Sequence, residues 1–149
     1  EAARPTCHAF AFNKHLVGDS QSGTIYRQAV DLYTDAGGAA IRRLRRCPHL
    51  ANEQQWIFYQ RLQIDLESGV GLVSGQGSDP QLILRFSDDG GRTWSNDYMV
   101  SAGVIGAYRA RAIWRRLGRG RDRVFEVVVS DPVPWRVMGA RGHFSEGLR

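Results

Sequence analysis

Period two is the strongest regularity in this chain, and it confines the fold to sheets. From Phe58 to Glu67, the residues Phe58, Leu62, Ile64 and Leu66 fall on one side of an extended segment. Tyr59, Arg61, Gln63, Asp65 and Glu67 fall on the other, the pattern of a half-buried antiparallel strand. Gln81–Phe86 repeats it, with Leu82, Leu84 and Phe86 set against Ile83 and Arg85. Tyr108–Arg116 sets Tyr108, Ala110, Ala112 and Trp114 against Arg109, Arg111 and Arg115. Arg123–Val129 is almost continuously apolar, which predicts a central strand covered on both faces, and Trp135–Ala140 reads as a shorter one. Turn signals separate these segments at Ser68-Gly69, Asp79-Pro80, Asp89-Gly90-Gly91, Leu117-Gly118 and Asp131-Pro132. Gly71–Gly77, rich in Gly and Ser, reads as a mobile loop. Helical periodicity is weak throughout. The expected fold is all-β: an antiparallel β-sandwich-like domain over 52–149, preceded by a short β-rich segment over 1–51. Within that segment Phe10-Ala11-Phe12, Leu16-Val17-Gly18 and Thr24-Ile25-Tyr26 are candidate strands.

Ser87-Asp88-Asp89-Gly90-Gly91-Arg92-Thr93-Trp94 fits S-x-D-x-G-x-T-W, the Asp-box of sialidases and other β-propeller proteins. Its chemistry is local. Ser87 and Asp89 bond the N–H groups of a tight turn, Gly91 supplies a positive φ, and Thr93 and Trp94 lead into the return strand. Trp94 is expected to anchor the hairpin in the core. The box is a folding device and does not signal catalysis. A calcium site at Asp88-Asp89 fits less well than a turn.

Charge is the other informative feature. The chain carries a net charge of +5, and its only lysine is Lys14, so its basic surface is arginine. Two clusters stand out: Arg42, Arg43, Arg45 and Arg46, and then Arg115, Arg116, Arg119, Arg121 and Arg123. Arginine suits protein interfaces and phosphates, so these residues form a possible basic interface. Protein, DNA and solvent stay open as what they face, and the Arg121-Asp122-Arg123 run favours ion pairs.

Several classes drop out. A sialidase-like enzyme needs an arginine triad, a Tyr–Glu nucleophile pair and an acid–base Asp at matching positions, and no spacing selects them. Nucleophile elbow, P-loop, dinucleotide fingerprint and metal-ligand spacing are all missing, so neither catalytic residues nor a metal nor a cofactor is expected. Cys7 and Cys47 read as two reduced thiols, with a bridge as the lesser alternative. No apolar run approaches the roughly 18 residues of a membrane span. The opening Glu1-Ala2-Ala3-Arg4-Pro5 has neither initiator Met nor signal-peptide pattern, and the chain is expected to be a piece of a longer protein.

An ordered set of short stretches runs through most of residues 17–140. It comprises Val17-Gly18-Asp19 with Ser22-Gly23-Thr24-Ile25-Tyr26, the Asp-box, and Trp114-Arg115-Arg116-Leu117-Gly118. Arg121-Asp122-Arg123-Val124-Phe125-Glu126 with Ser130-Asp131-Pro132 completes it. In that order they resemble the C-terminal region of packaged-DNA stabilisation and tail-hub proteins of short-tailed phages and prophages. The resemblance implies that the first segment is the edge of a β-propeller-like body and that a β-sandwich appendage follows. It implies a non-enzymatic virion structural role in the phage tail after synthesis in the bacterial cytoplasm. Its implied partners are other tail or portal-proximal proteins, with homo-oligomerisation in the full-length context. The alternative is a carbohydrate-binding β-sandwich, in which Trp56, Tyr59, Tyr98 and Trp135 would form a sugar platform; two or more of these rings exposed on one face would favour it.

Overall fold

A computed structural model describes residues 5–147, so the outermost residues of both expected domains, 1–4 and 148–149, lie outside the described residues. The chain divides into two compact units, Glu1–Ile41 and Arg42–Arg149. The first is a meander of β1 (Pro5–Ala11), β2 (Lys14–Asp19) and β3 (Ile25–Gln28), paired antiparallel in that order. Phe12 and Asn13, at φ 53° and 57°, make the two-residue turn between β1 and β2. Two positive φ values give a turn whose twist matches that of the flanking strands. Phe12 is therefore at the hairpin tip and exposed, not in the strand with Phe10. Between β2 and β3 the Asp19 carboxylate accepts from the Gln21 N–H (3.1 Å) and the Ser22 hydroxyl (2.7 Å), closing an Asx turn.

The second unit has two antiparallel sheets. One runs β4 (Arg43–Arg46) and β5 (Leu50–Ala51), then β11 (Asp122–Val129), β7 (Gln81–Ser87) and β8 (Tyr98–Ser101). The other places β9 (Ala112–Arg115) and β10 (Arg119–Gly120) on one flank of β6 (Ile57–Leu66) and β12 (Val137–Glu146) on the other. The units divide after Ile41, ahead of the expected boundary at 51/52, because β4 and β5 pair with β11 and so belong to the sandwich. The core between the sheets is built from Tyr59, Leu62 and Ile64 of β6, Leu82 and Leu84 of β7, and Trp114 of β9. Leu117 and the inward residues Phe125, Val127 and Val129 of β11 complete it.

β7 and β11 follow their sequence pattern. Leu82, Leu84 and Phe86 face the core, and β11 is covered on both faces between β4/β5 and β7. β6 departs from it. His143 of β12 pairs with Arg61, but the next residue, Phe144, pairs with Tyr59, which leaves Gln60 as an extra residue on β6. Such a bulge reverses the inward parity of a strand. Tyr59 is accordingly buried, and Phe58, expected on the core face, is exposed. Trp135–Ala140 proves to be the start of a ten-residue strand, β12. β9 holds only Ala112–Arg115 of the expected Tyr108–Arg116, and Tyr108 is exposed in the preceding turns. The Gly71–Gly77 loop is pinned by N–H donation from Leu72 to Gly77 (2.7 Å) and from Ser78 to Gly75 (3.1 Å).

The two flanks of the sandwich differ. On one, the Trp114 indole N–H donates to the Tyr98 carbonyl (2.8 Å), tying β9 to β8 across the sheets. On the other, β4 and β12 are edge strands with no pairing between them among the described residues.

Candidate interaction surfaces

The turn from Ser87 to Trp94 is assembled around Asp89. Its carboxylate accepts from the hydroxyls of Ser87 and Thr93 (both 2.6 Å) and from the N–H groups of Arg92 and Thr93 (both 2.9 Å). The Ser87 oxygen accepts in turn from the Gly91 N–H (2.8 Å), and Gly91 sits at φ 95°. These donors, the Ser87 hydroxyl foremost, hold the Asp89 carboxyl far below its ordinary value. Trp94 does not enter the core. It is half-buried on the outer face of the β7–β11 sheet, with the guanidinium carbons of Arg46 and Arg85 at 4.8 and 5.1 Å from its ring. The core tryptophan is Trp114.

Below Trp94 lies Glu126, fully buried on that same outer face. Arg46 donates to it through Nε (2.9 Å) and Nη2 (2.5 Å), Arg85 through Nε (2.6 Å), and Arg42 stands at 4.0 Å. Burial pushes the Glu126 carboxyl up, but hydrogen bonds and charge from Arg46 and Arg85 outweigh it and leave the group below its ordinary value. One carboxylate thus gathers Arg85 and two arginines, Arg42 and Arg46, that the sequence offers as a possible basic interface. The signal was present: Glu126 is the lone acid in the apolar run of β11, and a buried charge demands partners.

Arg123 is buried as well, on the core side of β11. Its guanidinium forms a fork with Asp88 (2.5 and 2.6 Å) and also donates to the carbonyls of Leu117 (2.5 Å) and Arg119 (3.1 Å). It lies 3.9 Å from the Phe86 ring centre and 4.4 Å from that of Tyr59. Gly120 leaves room for this: a Cβ there would stand 2.7 Å from the Asp88 carboxylate. Asp88 and Asp89, adjacent in sequence, therefore hold different structures, one the buried arginine and the other the turn. Asp122, between two arginines in sequence, pairs instead with His49 at 2.7 Å.

The remaining arginines separate further. Arg43 donates to the carbonyls of Val133 (2.6 Å) and Asp131. Arg119 and Arg121 lie over the Trp56 ring at 4.6 and 4.8 Å. Arg115 and Arg116 are exposed, Arg116 with φ 57° between β9 and β10. Arg45 is exposed at the open flank. The two sequence clusters are thus not one stripe: Arg123 is internal, Arg42, Arg43 and Arg46 are engaged, and Arg115, Arg116, Arg119 and Arg121 share one end of the β6 sheet.

The aromatic platform is not assembled. Tyr59 is buried, donates its hydroxyl to the Leu50 carbonyl (3.0 Å), and has its pKa pushed up to about 12 by burial, partly opposed by Arg123. Trp135 packs against the core and Trp56 lies beneath two arginines, so of the four rings only Tyr98 is exposed. Both cysteines are free, Cys7 exposed and Cys47 half-buried. Among the described residues no helix is long and apolar enough to cross a membrane.

Comparison with curated proteins finds no match. The family model of the bacteriophage P22 Gp10 β-sandwich matches residues 42–143, more than half of the 149-residue chain. That match begins where the second unit begins and runs through all but the end of β12. A two-sheet architecture closed by Trp114 and Arg123 and a family model that spans it coincide, and the chain belongs to the family of the bacteriophage P22 Gp10 β-sandwich.

Proposed function

We propose that this chain is a non-catalytic structural module of a phage tail, seated among hub and portal-proximal proteins and contributing to the retention of packaged DNA. The observation that carries this reading is the family match over the whole sandwich. The site chemistry supports it. The strongest polar constellations, Asp89 with its turn, Glu126 with its arginines and Arg123 with Asp88, are internally satisfied and spent on rigidity. What faces outward is arginine and apolar surface, the composition of a protein interface. The three-stranded meander of the first unit fits the edge of the propeller-like body that the sequence resemblance implies.

The test is quantitative mass spectrometry of purified particles after induction of the source prophage. A fixed small copy number per particle is the expected result, and that number reports the ring symmetry of the assembly. Absence from intact particles overturns the reading. The end of the β6 sheet bearing Arg115, Arg116, Arg119 and Arg121 supports a second, narrower possibility, contact with DNA phosphates. Replacing these four with glutamine would then flatten the salt dependence of DNA binding, and an unchanged dependence removes it.

A further inference from the structure

We propose that the open flank of the sandwich is a strand-accepting cleft, whose occupant is an extended segment of a neighbouring tail protein that carries a carboxylate among its trough-facing apolar residues. The proposal rests on the tail reading for the identity of the neighbour, but the cleft is argued from the sandwich alone.

Between β4 and β12 the two sheets part around a cleft of about 760 Å³. Leu62, Ile64, Phe125, Trp135, Val137 and Phe144 are among its lining residues, so the core is continuous with the outside along this flank. Val137 and Phe144 remain 45% and 36% exposed although they border the core. The Phe144 ring lies back over Gly142, where a Cβ would meet it at 2.1 Å, and packs edge-on against Tyr59. On both sides of the mouth runs a strand paired on one side only among the described residues: β4 bonds β11, and β12 bonds β6. Unpaired edges beside an apolar trough are the features that β-strand addition uses. Main-chain bonds supply affinity, and alternate side chains enter the trough.

Charge selects the occupant. Among the described residues, the charged ones lining the cleft are Arg43, Arg45 and Arg46, and no carboxylate lines it. Arg43 is engaged by carbonyls and Arg46 by Glu126. Arg45 is different. It lies opposite Val127 in the β4–β11 register, and Val127 faces the core, so Arg45 is on the inward face of its edge strand. Among the described residues it has no ion-pair partner. An arginine held at the mouth of an apolar trough without a counter-charge is complementary to a carboxylate on the incoming strand. The competing account is that Arg45 only guards the edge against promiscuous pairing. A guard works through the cost of burying its charge, so it predicts that neither an acidic nor a basic strand is held.

The experiment uses the full chain and two peptides of about eight residues, the length of an ordinary strand. Both alternate valine with serine, and at one trough-facing position one carries glutamate in place of valine and the other lysine. Binding is read by chemical-shift changes and hydrogen-exchange protection at the amides of β4 and β12. The expected result is saturable binding of the glutamate peptide with protection confined to those strands, and binding of the lysine peptide weaker by about tenfold or more, the effect of one close charge pair across an interface. Arg45→Glu, at an exposed position, should reverse the preference with an unchanged melting temperature, whereas Arg116→Glu should leave it intact. Equal binding of both peptides, or no protection by either, overturns the proposal. So does self-association of the chain that Arg45→Glu dissolves, because the occupant would then be a second copy. The failures are separable: absence from particles with peptide binding intact sinks the tail reading alone, and presence in particles without peptide binding sinks the cleft alone.

Discussion

Arg123→Met is the substitution that tests the packing argument most directly. Methionine matches the aliphatic stem, but it removes all four donated hydrogen bonds and the guanidinium contacts with the Tyr59 and Phe86 rings. Removing one partner of a buried ion pair costs about 3–5 kcal/mol. Asp88 is 41% exposed and regains water once released, which places this case at the lower end, about 3 kcal/mol. For a unit of this size that corresponds to a fall in melting temperature of about 12 °C. Equilibrium urea unfolding, followed by tryptophan fluorescence, measures it. The cycle is completed with Asp88→Asn and the double variant. Because the two groups share a desolvated site, the double variant should be less damaged than the sum of the singles by about 2 kcal/mol. If the single losses add to within about 0.5 kcal/mol, the fork between Asp88 and Arg123 contributes nothing as a pair and the reasoning fails.

Trp94→Ala should cost only about 1–2 kcal/mol, because it forfeits two exposed cation–π contacts and partial burial. Trp114→Ala, in the core, should cost about 3–5 kcal/mol; equal losses in urea melts would contradict the placement of the two rings. Asp89 and Glu126 have folded pKa values below their unfolded ones, so each adds stability above the ordinary carboxylate range that is lost as pH falls through that range. The melting temperature should therefore drop on acidification below about pH 4, and Asp89→Asn should shallow that drop. Tyr59 works in the opposite sense: with its pKa raised to about 12, its contribution is complete below the unfolded value near 10 and disappears as pH rises through the folded one. In a near-ultraviolet titration one tyrosine should ionise near pH 12, and Arg123→Met should move it higher still.

The parts of the fold that were legible in sequence are those where strand parity is unbroken. Leu82, Leu84 and Phe86, or Phe125, Val127 and Val129, need only alternation to be placed. Phe58 and Tyr59 exchanged roles because a bulge at Gln60 is set by pairing with residues more than eighty positions away, and nothing near Gln60 announces it. β12 was read short because Gly142, His143 and Ser145 mask its alternation on an edge that needs no apolar face. Ser87, Asp89, Gly91 and Thr93 were readable because an Asp-box is built from neighbours in sequence. Trp94 was misplaced because the motif gives the turn but not the side of the sheet on which the turn leans. The arginines were the hardest to place. A linear string shows positive charge, whereas the sheet decides that Arg123 points inward with Phe125 and that Arg46 meets Glu126 across β4 and β11. Arg123 shares the parity of Phe125, Val127 and Val129, and that offset was the available clue.

The pairing of β6 with β12 also governs the order in which the molecule can come into being. Ile57 must wait for Glu146, so the longest ladder of the sandwich closes only when the residues through Glu146 have left the ribosome. Until then β6 exposes Leu62 and Ile64 along one flank, and loop closure over that distance makes the final docking slow. A nascent chain in this condition is exposed to strand exchange with its neighbours. The chain's net charge of +5 supplies mutual repulsion between such chains during that interval. Positive charge thus has a consequence for the unfinished chain as well as for the folded one: it sets nascent copies apart.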